Sequence, residues 1–147
     1  MRTLTTLDDD DARLAIEAIR TELKKRGKIA VIAVADAHGE TLGLLRMSGA
    51  ALSSIAIATN KAFTAARLRR PSRTIGRNAR HPETGFDISY YGDARYVGWG
   101  GGLPVIVADT VVGAIAVSGL TQDEDEELAA LGVATVTAAA GAQHAKL

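Results

Sequence analysis

The stretch that decides the fold is Gly100-Gly101-Gly102-Leu103-Pro104-Val105-Ile106-Val107-Ala108-Asp109-Thr110-Val111-Val112-Gly113-Ala114-Ile115-Ala116-Val117-Ser118-Gly119. Its apolar runs, 103–108 and 111–118, meet at a turn and predict a β-hairpin that ends at a Ser-Gly helix entrance. A glycine costs up to about 1 kcal/mol relative to alanine inside a regular element. The triplet therefore indicates either an ordinary glycine loop, or special backbone angles or a neighbour packed against bare backbone.

Composition limits the class of protein. The 147 residues fit a single domain over residues 1–147. The 17 basic and 17 acidic residues cancel, so we expect neither a nucleic acid nor a membrane as partner. The absence of cysteine excludes disulfides, thiolate metal sites and thiol nucleophiles. The first eleven residues carry four acids where a signal peptide has an apolar run, and we expect a cytoplasmic protein.

Hydrophobic spacing and turn residues predict the remaining elements. They are a helix over 12–23 behind the acids 8–11, a hairpin with strands 28–35 and 40–46, a serine-capped helix over 53–66, a short helix capped by Ser72, and a last helix starting near 121. With the quoted stretch, the order is helix, hairpin, helix, hairpin, helix.

Lys61 is an exception on the second predicted helix, whose other residues are mostly apolar or small. Its side chain either follows the edge of the helix to reach solvent or directs its charge into a cleft. The first arrangement is the commoner one for a lysine, and the residues alone favour it.

Aromatic residues concentrate in one segment. Five of the six aromatic residues lie between 81 and 99: Phe86, Tyr90, Tyr91, Tyr96 and Trp99. A long aromatic loop often walls a planar ligand, although the same rings equally suit anchoring the loop to the body or to another subunit. The polar residues beside them, candidates for ligation or acid-base chemistry, are His81, Asp87, Asp93 and Arg95.

Six arginines between 67 and 80 form a basic patch that either binds an anion or is solvated.

Three blocks of the sequence, taken in order, resemble the motifs of one family. They are Val34-Ala35-Asp36-Ala37-His38-Gly39 through Leu44-Leu45-Arg46-Met47-Ser48-Gly49-Ala50; Ser54-Ile55-Ala56-Ile57-Ala58 with Lys61-Ala62-Phe63-Thr64-Ala65 and Arg70-Pro71-Ser72; and Gly101-Gly102-Leu103-Pro104 through Val112-Gly113-Ala114-Ile115-Ala116-Val117-Ser118-Gly119, followed by Gln122, Asp123 and Asp125. On these residues the chain resembles the GlcG/HbpS-like family. Ser48 stands where the family carries an aspartate.

The resemblance implies a profilin-like α/β (α+β) fold, with a five-stranded antiparallel sheet flanked by helices. It also implies a homo-oligomer in which dimers build octamers or similar rings. The family includes haem-binding sensors and the C-terminal domain of PduO-type corrinoid adenosyltransferases, and many members belong to catabolic operons.

The first functional hypothesis is a small-ligand-binding protein whose ligand is haem or another tetrapyrrole. His81 or His38 would supply the axial nitrogen, so that His81 becomes a metal ligand when haem is bound. Tyr90, Tyr91 or Trp99 would cover the ring, and arginines would pair with the propionates.

The second hypothesis is a cofactor-independent enzyme of the proton-transfer, isomerase or hydrolase type. Its substrate would be a small aromatic or carboxylated catabolic metabolite. The assigned residues are Arg46 or Lys61 as anion anchor, Asp93, Tyr90 or His81 for the proton, and the amides of Gly100, Gly101 and Gly102 for a developing oxyanion. Whichever ligand is bound, the candidate ligand-binding residues include Tyr91, Arg95 and Trp99.

Overall fold

The structure, a computed structural model, describes residues 1–145 apart from the side chain of His144. Its elements are α1 (Asp9–Lys25), β1 (Val31–Asp36), β2 (Thr41–Arg46), α2 (Ser53–Leu68), α3 (Ser72–Ala79), a 3-10 turn (Ile88–Tyr91), β3 (Gly102–Val107), β4 (Thr110–Ser118) and α4 (Gln122–His144). The predicted order of helices and hairpins is confirmed. None of the helices within the described residues is long and apolar enough to cross a bilayer.

The sheet is antiparallel, with the strand order β2-β1-β4-β3. Among residues 1–145 it has four strands, so the implied five-stranded sheet is wrong. Two hairpins supply these strands. The connection between α3 and β3 contains prolyl and glycyl residues, and it forms turns and a 3-10 segment where a fifth strand would need regular extended backbone.

Large apolar side chains cover one face of the sheet. Ile32 and Val34 of β1 and Ile115 and Val117 of β4 contribute to a core that also contains Ile19 of α1 and Leu128 and Val136 of α4. Helices α1 and α4 pack against each other on this face. The larger core therefore lies between the sheet and the two terminal helices.

Small residues form the opposite face, which packs against α2. Ala33 and Ala35 of β1 and Ala116 of β4 contact a cluster that includes Ala58 and Ala62 of α2. Side chains alternate between the two faces of a strand. Because large and small residues alternate along β1 and β4, each of these strands has a bulky face and a small face. The small face brings the backbone of α2 close to the sheet, which positions Lys61.

The helix predicted over 12–23 is α1, which begins three residues earlier at Asp9, whereas the two predicted serine caps are wrong. Asp8 caps α1, with its Oδ1 accepting from the Asp11 amide at 3.0 Å. The N-cap of α2 is Leu52, without a side-chain hydrogen bond. The N-cap of α3 is Pro71, and Ser72 lies inside the first turn because its hydroxyl bonds to another segment.

Substituting Ala62 tests the close packing of α2. Ala62→Leu adds volume where only 1% of the residue is exposed, and overpacking of this kind costs about 1–3 kcal/mol. The measurement is the free energy of unfolding from urea denaturation. Ala56→Leu, at an exposed position of the same helix, is the control and should change stability by less than about 0.5 kcal/mol. Equal losses at the two positions would contradict this packing.

Candidate functional site

The glycine triplet lies against Lys61. Gly101 has φ +122°, and a Cβ there would lie 2.8 Å from the Lys61 Nζ and 2.7 Å from the Val117 carbonyl oxygen. A Cβ on Gly102 would lie 2.5 Å from the Lys61 carbonyl oxygen. Side chains would clash at both positions. Glycine is therefore required at position 101 by its backbone angle and by its neighbours, and at position 102 by the backbone of Lys61.

Lys61 is buried, so its predicted position at a solvent edge is wrong. Its Nζ donates to Asp125 Oδ2 and to the Val117 carbonyl, both at 3.0 Å. The other carboxylate oxygen, Oδ1, accepts from the Leu120 amide at 3.1 Å. Lys61 and Asp125 are each only 2% exposed. This pair joins α2 to α4 at the point where β3 begins.

Burial shifts the pKa of both members of the pair. Loss of hydration lowers the pKa of Lys61, which the charge of Asp125 opposes. Loss of hydration likewise raises the pKa of Asp125, against the effect of Lys61. In each case burial disfavours the charged form, while the partner favours it. Ionisable pairs shifted in this way and placed beside a cleft are found often at functional sites.

A cleft of about 390 Å³ lies beside the pair, and we call it the Lys61 cleft. The start of α2, the end of β4 and the start of α4 surround it. Its lining residues are Ala51, Ser53, Ser54, Ile57, Lys61, Trp99, Ser118, Gly119, Leu120, Gln122 and Asp125. Trp99 is 55% exposed.

Intramolecular hydrogen bonds use two of the three glycine amides proposed as oxyanion donors. The Gly100 amide donates to Gln122 Oε1 at 2.7 Å, and the Gly102 amide donates to Ser72 Oγ at 3.0 Å. The Ser72 hydroxyl in turn donates to the Trp99 carbonyl at 2.6 Å. These amides already have acceptors, and their main effect is to fix the glycine segment in place.

The aromatic loop is anchored through stacked rings. Tyr96 packs edge-on against Phe63 of α2 with centroids 5.0 Å apart, and Tyr91 lies 4.6 Å from Tyr96. Phe86 packs edge-on against Tyr91 at 5.8 Å. The backbone of Gly98 also packs on Gly76 of α3, where a side chain would clash. Part of the aromatic content thus holds the loop to the body, as one of the two interpretations predicted.

The outer end of this ring series forms an exposed surface, which we call the aromatic face. Phe86, Tyr90 and Tyr91 line a shallow depression of about 280 Å³, and Tyr90 is 84% exposed. An adjoining cleft of about 230 Å³ shares Phe86 and Tyr91 and is also lined by Arg70. The aromatic face therefore combines apolar rings with a neighbouring guanidinium.

His81 lies in the same loop and is exposed. Its Nδ1 accepts from the amides of Glu83 at 3.2 Å and Thr84 at 3.1 Å. A neutral imidazole that accepts at Nδ1 carries its proton on Nε2. To bind iron, the imidazole would therefore have to release Nδ1 from these two amides. It could then bind through Nδ1, or through Nε2 once its proton has moved to Nδ1.

Asp93 and Arg95 form an ion pair away from both clefts. The Arg95 guanidinium donates to Asp93 Oδ2 at 2.9 Å and to Glu40 Oε1 at 3.1 Å, and it lies 4.0 Å from the centroid of the Phe63 ring. The hydrogen bond from Arg95 lowers the pKa of Asp93. This carboxylate therefore stays ionised at neutral pH and is a poor proton donor there.

The predicted site residues do not converge. Lys61, Trp99 and the glycine triplet belong to the Lys61 cleft, whereas His81, Tyr90 and Tyr91 belong to the aromatic loop. Arg46 lies at the end of β2, in a further cleft of about 510 Å³. Within residues 1–145, no group of three or more His, Asp or Glu side chains is placed to hold a metal ion. The structure thus separates the anion anchors and proton carriers of the enzyme hypothesis.

Sequence reasoning missed Asp125, Ser54 and Ser118 as members of a cleft. Asp125 had a detectable signal, because it precedes the buried residues Leu128 and Ala129 by three and four positions and so lies on the apolar stripe of α4. An acid on that stripe and a lone lysine inside an apolar helix suggest each other as partners. The serines carried no comparable signal.

Removing the carboxylate tests the buried pair. Asp125→Ala leaves the Lys61 ammonium buried without a counter-charge, which should lower the free energy of unfolding by about 3–5 kcal/mol. Asp123→Ala is the control, because Asp123 pairs with Arg73 at 2.7 Å but its side chain is 91% exposed. Its loss should stay below about 1 kcal/mol. Urea denaturation followed by circular dichroism gives both values, and similar losses would contradict the pair's role.

Comparisons with known proteins agree with the fold and the motifs. The family model described as haem degrading protein HbpS-like matches residues 7–134. Protein GlcG of Escherichia coli K12 is 32% identical over 118 residues, which cover 80% of this chain and 85% of GlcG.

Solved structures give the same result. Klebsiella pneumoniae protein ORFY superposes with a TM-score of 0.85 and 30% identity, covering 94% of this chain and 95% of ORFY. A double mutant of Streptomyces reticuli HbpS superposes with a TM-score of 0.80 and 30% identity, covering 91% of this chain and 89% of the mutant. PduOC, in a complex with haem, superposes with a TM-score of 0.81 and 22% identity, covering 89% of this chain and 95% of PduOC. This likeness concerns the fold alone. With the family model matching most of its length, the chain belongs to the HbpS-like family.

Proposed function

We propose that this protein binds haem or a related tetrapyrrole on its aromatic face. The observation that carries the proposal is the exposed depression formed by Phe86, Tyr90 and Tyr91, beside Arg70 and in the same loop as His81. The family's description as haem degrading and the haem held by PduOC support it.

The residues present fit a planar, apolar ligand with anionic substituents. Aromatic side chains supply flat apolar area for a macrocycle. The Arg70 Nε donates to the Leu68 carbonyl at 3.3 Å, so the terminal nitrogens of this exposed guanidinium are available to a propionate. The depression of about 280 Å³ takes only part of a tetrapyrrole. A second subunit would cover the rest, and the predicted homo-oligomer therefore belongs to this proposal.

His81 belongs to the same loop as the aromatic face, and in this proposal it would hold the iron. Release of the Glu83 and Thr84 amides from Nδ1 would free a lone pair on the ring. Haem, when bound, supplies the redox and ligand-exchange chemistry of its iron. The protein's own residues stack on the ring, pair with its carboxylates and restrict solvent on one face.

The alternative of a cofactor-independent enzyme stays a prediction. Of its assigned residues, Lys61 and the glycines share one cleft, while Asp93, Tyr90 and His81 lie elsewhere. The cytoplasmic location and the catabolic operon likewise stay predictions.

A haemin titration tests the proposal and separates the two candidate histidines. Wild type should develop a shifted Soret band that saturates with one haem per aromatic face. His81→Ala should remove the shift, because no imidazole then reaches the iron. His38→Ala is the matched control, since His38 is exposed in the β1–β2 turn, and it should titrate like wild type. No Soret shift in wild type at micromolar haemin would overturn the proposal, and an unchanged His81→Ala titration would overturn the role of His81.

A second titration locates the ring. Tyr90→Ala removes an exposed stacking surface and should weaken haemin binding by about tenfold. Trp99→Ala removes the candidate ring cover that lies outside the aromatic face, in the lining of the Lys61 cleft, and should leave haemin affinity unchanged. If Trp99→Ala weakened haemin binding and Tyr90→Ala did not, haem would bind in the Lys61 cleft, and binding on the aromatic face would be contradicted.

A further inference from the structure

We propose that the Lys61 cleft is a second, separate binding site, which takes the carboxylate of a small molecule with an apolar body. The site differs from the aromatic face in position and chemistry. It requires no metal ion and no second subunit.

Two serine hydroxyls point to a ligand. Ser54 is 5% exposed and Ser118 is 4% exposed, and both line the cleft. Neither hydroxyl has a hydrogen-bond partner among the side chains and backbone of residues 1–145. No fully enclosed side-chain nitrogen or oxygen in that part of the chain lacks a partner, so both hydroxyls open to the cleft. Buried hydroxyls normally have partners, and here a ligand or water must supply them.

One of the lining side chains, Lys61, can donate to an anion. An ammonium has three donors, and Lys61 uses two of them on Asp125 and Val117. Both Asp125 oxygens already accept hydrogen bonds, and Lys61 and Asp125 together are neutral, so the preference for an anion rests on the third ammonium donor and on the adjoining helix terminus.

The N-terminus of α2 adds to this preference. Its first turn contains no acidic residue and its N-cap, Leu52, has no capping side chain. By contrast, the first turns of α1 and α4 each contain three acids. The positive end of the α2 dipole therefore faces the cleft with no carboxylate in its own first turn, and Asp125, which also lines the cleft, is already paired with Lys61.

The remaining lining sets the shape of the ligand. Ile57 and Leu120 supply apolar wall, and the half-exposed indole of Trp99 lies at the rim. The volume of about 390 Å³ is at the small end of ligand pockets, which span roughly 300–1,000 Å³. The ligand class is thus a small monocarboxylate with a single ring or a short branched chain, its carboxylate near Ser54, Ser118 and Lys61.

Benzoate is a suitable probe, and Trp99 reports on it because it is the sole tryptophan of the chain. Titration of the full-length protein, followed by the NMR shift of the indole N–H and by calorimetry, should give saturable binding. Benzamide has the same shape without the charge and should bind at least about tenfold more weakly, because it offers no negative charge to the Lys61 ammonium and the α2 terminus.

Variants of the two serines complete the test. Ser54→Ala and Ser118→Ala should each weaken benzoate binding by about tenfold or more, with unchanged circular dichroism spectra. Ser48→Ala, at an exposed serine outside the cleft, should bind as wild type does. Absence of a saturable indole shift, equal affinity for benzamide, or wild-type affinity in both serine variants would overturn the proposal. Ser54→Ala should bind haemin as wild type does. This titration separates failure of the carboxylate site from failure of haem binding at the aromatic face.

Discussion

The buried ion pair between Lys61 and Asp125 constrains the surrounding structure. It joins α2 on one face of the sheet to α4 on the other, and it also binds the backbone of β4 at Val117. The ammonium occupies space that a side chain on Gly101 would need. The glycine triplet, the start of β3 and the positions of both helices are therefore parts of one arrangement.

The two faces of the sheet make this arrangement possible. The alternating alanines on the α2 side bring that helix close enough for Lys61 to reach Val117, while the bulky side holds α1 and α4. Ser118 continues the small face of β4 to the edge of the Lys61 cleft, two residues beyond Ala116. Packing of small residues thus positions the polar groups of a cleft.

Much of the fold could be predicted from periodicity and turn residues, and the motifs gave the family. The implied fifth strand is wrong for the part of the chain that the structure describes, where the two hairpins predicted from the residues supply four strands. The spacing of residues within α2 does not by itself show that Lys61 is buried, since its partner lies 64 residues away and has to be recognised separately on α4. The aromatic residues were rightly assigned to one loop, but no local pattern distinguishes Tyr96, which packs on the body, from the exposed Tyr90.

A buried ion pair is costly to desolvate and still more costly to break on one side. The most direct test of its central position is a double-mutant cycle with Lys61→Met and Asp125→Ala, measured as free energies of unfolding. The account predicts that the double variant loses at least about 2 kcal/mol less than the sum of the single losses, since it leaves no uncompensated charge. Additive losses, within about 0.5 kcal/mol, would show that the two residues act independently and would contradict it.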